Sequence, residues 1–187
     1  VVPSMHAAIE ALSEVGDGII IQPPIYPPFF SAVTETKRKL IENPLKLEQG
    51  VYTIDLEHLE QCAASGATCL LLCSPHNPSG RVWLQNELEG ILDIARRYDL
   101  TIISDEIHAD LIYPDFTHIP LATLADDVAI VTAVSPSKTF NIPGLGLSCL
   151  VTNQRQQWQA IKKGLDASHV SASNPFSVTA FEAAYRG

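Results

Sequence analysis

The residues best suited to chemistry follow three apolar runs, each typical of a buried strand. Asn77, Asp105 and Lys138 lie at or just beyond the ends of these runs. Their side chains can donate a hydrogen bond, hold a cation, and act as a nucleophilic amine or a base. In α/β proteins, ligands bind in the crevice outside the carboxyl ends of parallel strands. We therefore expect the three side chains to share one site.

Lys138 lies in the segment SPSKTF, among small residues. A lysine in such a loop is most often simply solvated. It can also form a Schiff base with a carbonyl compound. A phosphate-binding P-loop is excluded, because that motif requires glycine immediately before the lysine and Ser137 stands there. The solvated lysine and the Schiff base both remain open from this segment alone.

Asp105 begins the sequence DEIHAD, which allows several interpretations. The letters DEIH match the metal-binding box of a helicase, but the chain is acidic and has no P-loop. A metal site formed by Asp105, His108 and Asp110 is conceivable, although no second cluster of ligands supports it. A carboxylate at the end of a strand also commonly caps the following turn.

Asn77 begins the segment NPSG, whose residues favour turns. Most segments of this kind only reverse the direction of the chain. Glycosylation is excluded, because proline follows the asparagine. Placed at a strand end, the side-chain amide of Asn77 can instead donate a hydrogen bond to a ligand.

Alternating strand and helix patterns predict an α/β fold. Apolar runs predict strands within 18–24, 37–45, 68–75, 100–106, 128–135 and 145–153. Helical periodicity predicts helices within 4–15, 26–36, 54–64, 84–99 and 154–168, with a further helix starting at Asn174–Pro175. Such alternation implies a mostly parallel sheet with helices on both faces, a three-layer α/β/α sandwich. No repeat or linker interrupts the pattern, so we expect one domain.

The composition argues against several classes of partner. The 187 residues include 12 Lys and Arg and 21 Asp and Glu, a formal net charge of −9. Nucleic acids and anionic membranes attract clustered positive charge, so we expect neither as a partner. The apolar runs are also too short to cross a bilayer. The four cysteines lack metal-site spacing, and we expect reduced thiols in a cytoplasmic protein.

Three segments taken together indicate a protein family more specifically than any one of them does. In order and spacing, SPHNPSGRVW, SDEIHADLIY and SPSKTFNIPGLGLS resemble pyridoxal-phosphate (PLP) enzymes of the class I/II aminotransferase superfamily, fold type I. The upstream segment PPIYPPF fits as a fourth element, so the resemblance covers essentially the whole chain. It implies the PLP-binding large domain of such an enzyme, with a mixed, mostly parallel sheet.

The resemblance implies a role for each main residue. Lys138 would carry PLP as a Schiff base and then transfer the substrate's Cα proton. Asp105 would pair with the protonated ring nitrogen, which lets the ring act as an electron sink. Asn77 would donate to the phenolic oxygen of the ring, and Tyr26 would stack on its face.

The phosphate of PLP is expected to bind a second group of residues. Ser135 and Ser137 would donate their hydroxyl groups, together with amides of the lysine loop. Val1, Val2 and the start of the helix behind them would add amide donors, since helix N-termini bind anions.

Two departures from the superfamily pattern indicate a branch. Many members have tyrosine three positions after the aspartate and arginine eight positions after the lysine. This chain has His108 and Gly146 at those positions. With these residues it resembles the bacterial cystathionine β-lyase or cysteine C–S lyase branch. His108 would orient Asp105 or Asn77 at the cofactor, or would only pack beside them.

The resemblance leaves three functions to distinguish. The first is a PLP-dependent C–S β-lyase, which eliminates a thiolate from cystathionine or another L-cysteine thioether. The second is an aminotransferase of amino acids. The third is a PLP-binding module of a regulator, because the fold is reused in that role.

Enzymes of this kind have further parts that the 187 residues do not match. The sequence begins without Met and ends in a helical pattern. We expect residues 1–187 to be a large domain cut at both ends, lacking the N-terminal segment and the C-terminal small domain. We also expect a homodimer in the full-length protein, an amino-acid substrate, and little turnover by the fragment alone.

Overall fold

The computed structural model describes residues 1–167 and 174–186. Strands and helices alternate through most of these residues, as the sequence predicts. The helices are α1 (Val2–Leu12), α2 (Pro28–Glu35), α3 (Leu56–Ala64), α4 (Gln85–Tyr98), α5 (Arg155–Ala167) and α6 (Pro175–Arg186). The strands are β1 (Gly18–Ile21), β2 (Lys39–Glu42), β3 (Lys46–Glu48), β4 (Val51–Thr53), β5 (Ala67–Cys73), β6 (Thr101–Asp105), β7 (Ile130–Val134) and β8 (Cys149–Val151).

Six strands form one sheet in the order β2-β1-β5-β6-β7-β8. Neighbouring strands are parallel except at the β7–β8 edge, where they are antiparallel. The predicted mixed, mostly parallel sheet is confirmed. Strands β5, β6 and β7 lie side by side, and Asp105 pairs in register with Cys73 and Ala133. The carboxyl ends of these three strands therefore meet at one edge.

Two apolar cores lie on opposite faces of the sheet. Ile19 and Ile21 of β1 pack on the side of α1 and α2, whereas Ile20 packs on the side of α3 and α4. Strand β5 divides its apolar side chains in the same alternating way, because successive residues of a strand point to opposite faces. Helix α5 packs against α1. The three-layer α/β/α sandwich follows from this double burial.

Side-chain caps explain two of the predicted helix starts. Asp55 accepts a hydrogen bond from the His58 amide at 3.1 Å and caps α3. Asn174 Oδ1 accepts from the Phe176 amide at 3.0 Å, and Pro175 is the first residue of α6. Both starts agree with the prediction. Residue 168, the last of the helix predicted within 154–168, lies outside the described residues.

The structure differs from the predicted elements at the start of α1 and at a hairpin, and it adds two short 3-10 helices that were not predicted (Leu121–Thr123 and Pro143–Leu145). Helix α1 starts at Val2 rather than residue 4 and ends at Leu12, where the Ser13 hydroxyl donates to the Ile9 carbonyl. The hairpin of β3 and β4 was not predicted, because its residues are largely exposed and show no strong apolar alternation. Within residues 1–167 and 174–186, no helix is both long and apolar enough to span a bilayer.

Candidate active site

The predicted site residues gather at the carboxyl edge of the sheet. Asp105 is the last residue of β6, Asn77 follows β5, and Lys138 follows β7. A cavity of about 710 Å³ opens at this edge. Every residue predicted for the cofactor lines it: Tyr26, Asn77, Asp105, His108, Ser135, Ser137 and Lys138. The strand order therefore produces the shared site that the sequence predicts, while the role of each residue stays a prediction.

Asp105 is a buried carboxylate that lines the cavity. It is 6% exposed, and its Oδ1 accepts a hydrogen bond from the Ile107 amide at 3.2 Å. Burial raises the pKa of Asp105 to about 6, although the Ile107 hydrogen bond opposes this. Among the described residues, no lysine, arginine or histidine side chain forms a salt bridge with it. A cation in the cavity would supply the missing partner.

Asn77 and Tyr26 are held together by their backbones. The Tyr26 amide donates to the Asn77 carbonyl at 3.0 Å, and the Asn77 amide donates to Cys73 Sγ at 3.4 Å. Within the described part of the chain, the side-chain amide of Asn77 makes no hydrogen bond. The Tyr26 side chain is 42% exposed where it lines the cavity. Both side chains are therefore accessible to a ligand.

Lys138 lies in the turn after β7, and its side chain is exposed. It nevertheless lines the same cavity as Asp105 and Asn77. Burial lowers the pKa of His108, and the positive charge of Lys138 lowers it further. His108 lines the same cavity as Lys138, so the structure brings both side chains to one site.

The two serines of the lysine loop differ in their bonding. Ser135 is buried, and its hydroxyl lies 2.7 Å from the Leu147 carbonyl, which can only accept. Its oxygen accepts from the Ser137 amide at 3.2 Å. Ser135 therefore ties the two ends of the loop, whereas Ser137 is only half-buried. The start of α1 also lines the cavity through Val1 and Val2, as predicted.

The metal alternative for Asp105 finds no support. Throughout 1–167 and 174–186, no group of three or more His, Cys, Asp or Glu side chains is arranged to hold a metal ion. Asp110 instead accepts a hydrogen bond from the Thr139 hydroxyl at 3.1 Å. This bond connects the segment after β6 to the lysine loop.

Comparison with known proteins identifies the family. The family described as aminotransferase class I and II matches residues 3–184. The chain belongs to this family. Cystathionine beta-lyase PatB of Bacillus subtilis (strain 168) is 40% identical over 188 residues, which cover 99% of this chain and 49% of the relative. The chain thus spans about half the length of that relative.

Solved structures of this aminotransferase family share the fold. A PLP-bound putative aminotransferase from Clostridium difficile 630 superposes with a TM-score of 0.96 at 36% identity, covering 100% of this chain and 49% of that one. Cystalysin from Treponema denticola, which contains PLP, also gives 0.96, at 38% identity and with 99% and 48% covered. The family is PLP-dependent, and these neighbours are PLP-bound.

The residues at the cavity fit the cofactor of the class I and II aminotransferases. A buried carboxylate without a cationic partner suits a protonated ring nitrogen, and the uncommitted amide of Asn77 suits a phenolic oxygen. The position where many members have arginine is Gly146, which adopts φ +59° after a short 3-10 helix (Pro143–Leu145). That backbone conformation favours glycine. Because glycine has no side chain, side-chain contacts with the phosphate would have to come from other residues.

Sequence reasoning missed part of the cavity wall. Ser4 lies at the start of α1, and its Oγ is 2.6 Å from Ser148 Oγ. Helix α5 contributes an apolar wall through Trp158 and Ile161. The amphipathic pattern of α5 is visible in the sequence, but its packing on α1 is not. No local signal could have placed these residues at the site.

Proposed function

We propose that residues 1–187 form the PLP-binding large domain of a C–S β-lyase, which acts on cystathionine or other L-cysteine thioethers by α,β-elimination. One observation carries the proposal: a buried carboxylate without a cationic side-chain partner shares a cavity with an accessible lysine. The likeness to PatB and cystalysin supports the lyase branch. The substitutions at His108 and Gly146 point to the same branch.

Different side chains of this chain bind different parts of the cofactor. PLP, when bound, withdraws electrons from the substrate's Cα through its protonated ring. The Asp105 carboxylate holds the proton on the ring nitrogen. Asn77 donates its side-chain amide to the phenolic oxygen, and Tyr26 covers one face of the ring. The Ser137 hydroxyl and the amides at the start of α1 bind the phosphate.

Lys138 moves the proton that the elimination requires. Its Nζ would hold the cofactor, and as a free amine it would take the proton from the substrate's Cα. The Cβ–S bond breaks, and its electron pair leaves with the thiolate. The remaining 2-aminoacrylate hydrolyses to pyruvate and ammonia. Cystathionine and water thus give homocysteine, pyruvate and ammonia, with no oxidant or reductant.

The proposal extends to the whole protein. We propose that a C-terminal small domain supplies the group that binds the substrate's carboxylate. We also propose that the full-length protein is a homodimer. The four cysteines are free in the structure, which supports a reducing compartment such as the cytoplasm. Light scattering of the full-length protein would test the dimer, since a monomeric mass contradicts it.

The decisive experiment measures the products of L-cystathionine. Full-length protein loaded with PLP should release pyruvate, ammonia and homocysteine in equal amounts when no 2-oxo acid acceptor is added. Absence of both pyruvate and free thiol, from protein whose PLP content is verified, would remove the lyase proposal.

Aminotransfer is the second candidate, because a PLP-bound putative aminotransferase matches the whole chain at a TM-score of 0.96. It needs the same carboxylate, amide and lysine. A transaminase would consume the amino acid only when a 2-oxo acid acceptor is supplied, and it would form a new amino acid. The same assay with and without acceptor therefore separates the two activities.

A further inference from the structure

The buried histidine next to Asn77 has no part in the chemistry described above. His76 is 2% exposed, and its imidazole lies between the loop 74–83 and the end of β1. Its neighbour Asn77 lines the active-site cavity. A polar ring buried this completely needs partners for both of its nitrogens, because an unsatisfied buried group is costly.

The two partners of His76 determine its tautomer. Nε2 lies 3.3 Å from the backbone carbonyl of Gln22, which can only accept, so Nε2 carries the proton. Nδ1 lies 2.8 Å from Ser79 Oγ, so the neutral ring accepts there from the hydroxyl. Ser79 Oγ in turn faces the Arg81 amide at 3.4 Å. Burial lowers the pKa of His76 to about 4, which agrees with a neutral ring.

This hydrogen-bond chain connects the two loops that carry Asn77 and Tyr26. The Gln22 carbonyl belongs to the segment that leads to Tyr26, and the Tyr26 amide donates to the Asn77 carbonyl at 3.0 Å. The two loops are therefore tied twice, once through the imidazole and once through the backbone. The imidazole of His76 also packs against the indole of Trp83 in a T-shaped arrangement, with ring centroids 5.5 Å apart.

We infer that His76, as the neutral Nε2–H tautomer, is a positioning residue that sets Asn77 and Tyr26 at the separation needed to bind the cofactor ring. This inference rests on the proposed function. His76 touches neither cofactor nor substrate and acts through its two neighbours.

The test compares two histidine-to-phenylalanine variants of the full-length protein. His76→Phe keeps the ring and its contact with Trp83 but removes both hydrogen bonds. His58→Phe is the matched control: His58 is partly buried and bonded to Asn43, which accepts from the Gln22 side chain, so the variant perturbs the same neighbourhood but leaves both hydrogen bonds of His76 in place. We expect the dissociation constant of PLP to rise about tenfold in His76→Phe and to stay within about twofold in His58→Phe.

A second readout needs no cofactor. Hydrogen exchange of the Tyr26 amide in the PLP-free protein should accelerate about tenfold in His76→Phe and remain at the wild-type rate in His58→Phe. If wild type binds no PLP, the proposed function fails while this readout still tests the tie between the loops. Unchanged exchange and unchanged PLP affinity in a folded His76→Phe would overturn the inference.

Conservative variants distinguish positioning from simple packing. Glutamine can place its amide nitrogen near the position of Nε2, so His76→Gln should recover PLP affinity to within about threefold of wild type. Asparagine reaches only the position of Nδ1, so His76→Asn should resemble His76→Phe. Wild-type PLP affinity in His76→Phe, with impairment of both His76→Gln and His76→Asn, would show that only ring packing matters and would overturn the inference.

The tautomer can be tested even if the variants do not fold. Nitrogen-15 NMR of the wild-type protein should show the His76 proton on Nε2 and an unprotonated Nδ1. A proton on Nδ1 would contradict the donor assignment and overturn the inference.

Discussion

The loop that carries Asn77 and the loop that carries Lys138 reach the same cavity but are built differently. The Asn77 loop, residues 74–83, ends in Trp83, which is 1% exposed and donates its indole N–H to the Cys73 carbonyl at 2.9 Å. Its Arg81 pairs with Glu87 of α4 at 2.6 Å. The lysine loop, residues 135–148, consists of backbone turns and is held by hydrogen bonds of small hydroxyl side chains, those of Ser135, Thr139 and Ser148. Lys138 itself is exposed.

The difference matches what each residue must do in the proposed reaction. Asn77 has to keep one position relative to a bound ring, so large side chains and a chain of hydrogen bonds fix its loop. Lys138 has to bind, release and then take a proton, so its side chain needs freedom of rotation. Substitutions in the first loop should therefore cost stability, and those in the second should cost chemistry.

The largest effect is expected for Lys138→Ala. Turnover of the full-length enzyme should fall roughly 10²–10⁴-fold or more, because the amine that moves the proton is lost. Stability should change by no more than about 0.5 kcal/mol, since the side chain is exposed. Mass spectrometry after borohydride reduction should show PLP retained by wild type and absent from the variant.

Lys163→Ala is the matched control for that substitution, because Lys163 is exposed on α5 and does not line the cavity. It should keep both turnover and the retained PLP. PLP still covalently attached to Lys138→Ala would show that another lysine is the attachment point.

Trp83→Ala should have the largest effect on stability. Removing this buried indole should lower the free energy of unfolding by about 3–5 kcal/mol, because a cavity is left and a hydrogen bond is lost. Trp158, which is 54% exposed, provides the comparison, and Trp158→Ala should cost less than about 1 kcal/mol. Urea denaturation measures both, and equal losses would contradict the rigid Asn77 loop.

Asp105 should make the stability of the PLP-free protein depend on pH. Burial raises its pKa from the usual 3.8 to about 6, so the folded state holds the proton more tightly than the unfolded state. The stability from this group is complete below about pH 4 and is lost as pH rises through about 6, by up to about 3 kcal/mol. Asp105→Asn should lack this loss when urea midpoints are compared across that window.

The exposed Asp115 supplies the control for the pH experiment. Asp115→Asn should follow the wild-type curve. Adding PLP should reverse the trend for wild type, because a ring cation favours the carboxylate. A wild-type curve that coincides with that of Asp105→Asn would contradict the shifted pKa.

Ser135→Ala should lower stability less than Trp83→Ala does and less than the ionisation of Asp105 does. It removes the bond to the Leu147 carbonyl and the bond from the Ser137 amide, and should cost about 1–2 kcal/mol of unfolding free energy. Thermal denaturation of both variants measures whether Ser135→Ala lowers stability less than Trp83→Ala does. If the two substitutions cost the same, the lysine loop is as firmly built as the Asn77 loop, and the contrast between them disappears.

The sequence by itself determined the strand–helix alternation, the polar residues at the strand ends and the family. These features are local, since apolar runs, caps and short motifs act over a few neighbouring residues. The hairpin of β3 and β4 escaped prediction because exposed strands carry little apolar signal.

Only the tertiary structure decided the order of the strands, the wall that α5 adds to the cavity, and the opposite environments of His76 and Asn77. His76 is bonded to Gln22 while its neighbour faces the cavity, and Ser135 is bonded to Leu147. These contacts join residues far apart in the sequence. Their geometry depends on how the layers pack, so no local pattern encodes it.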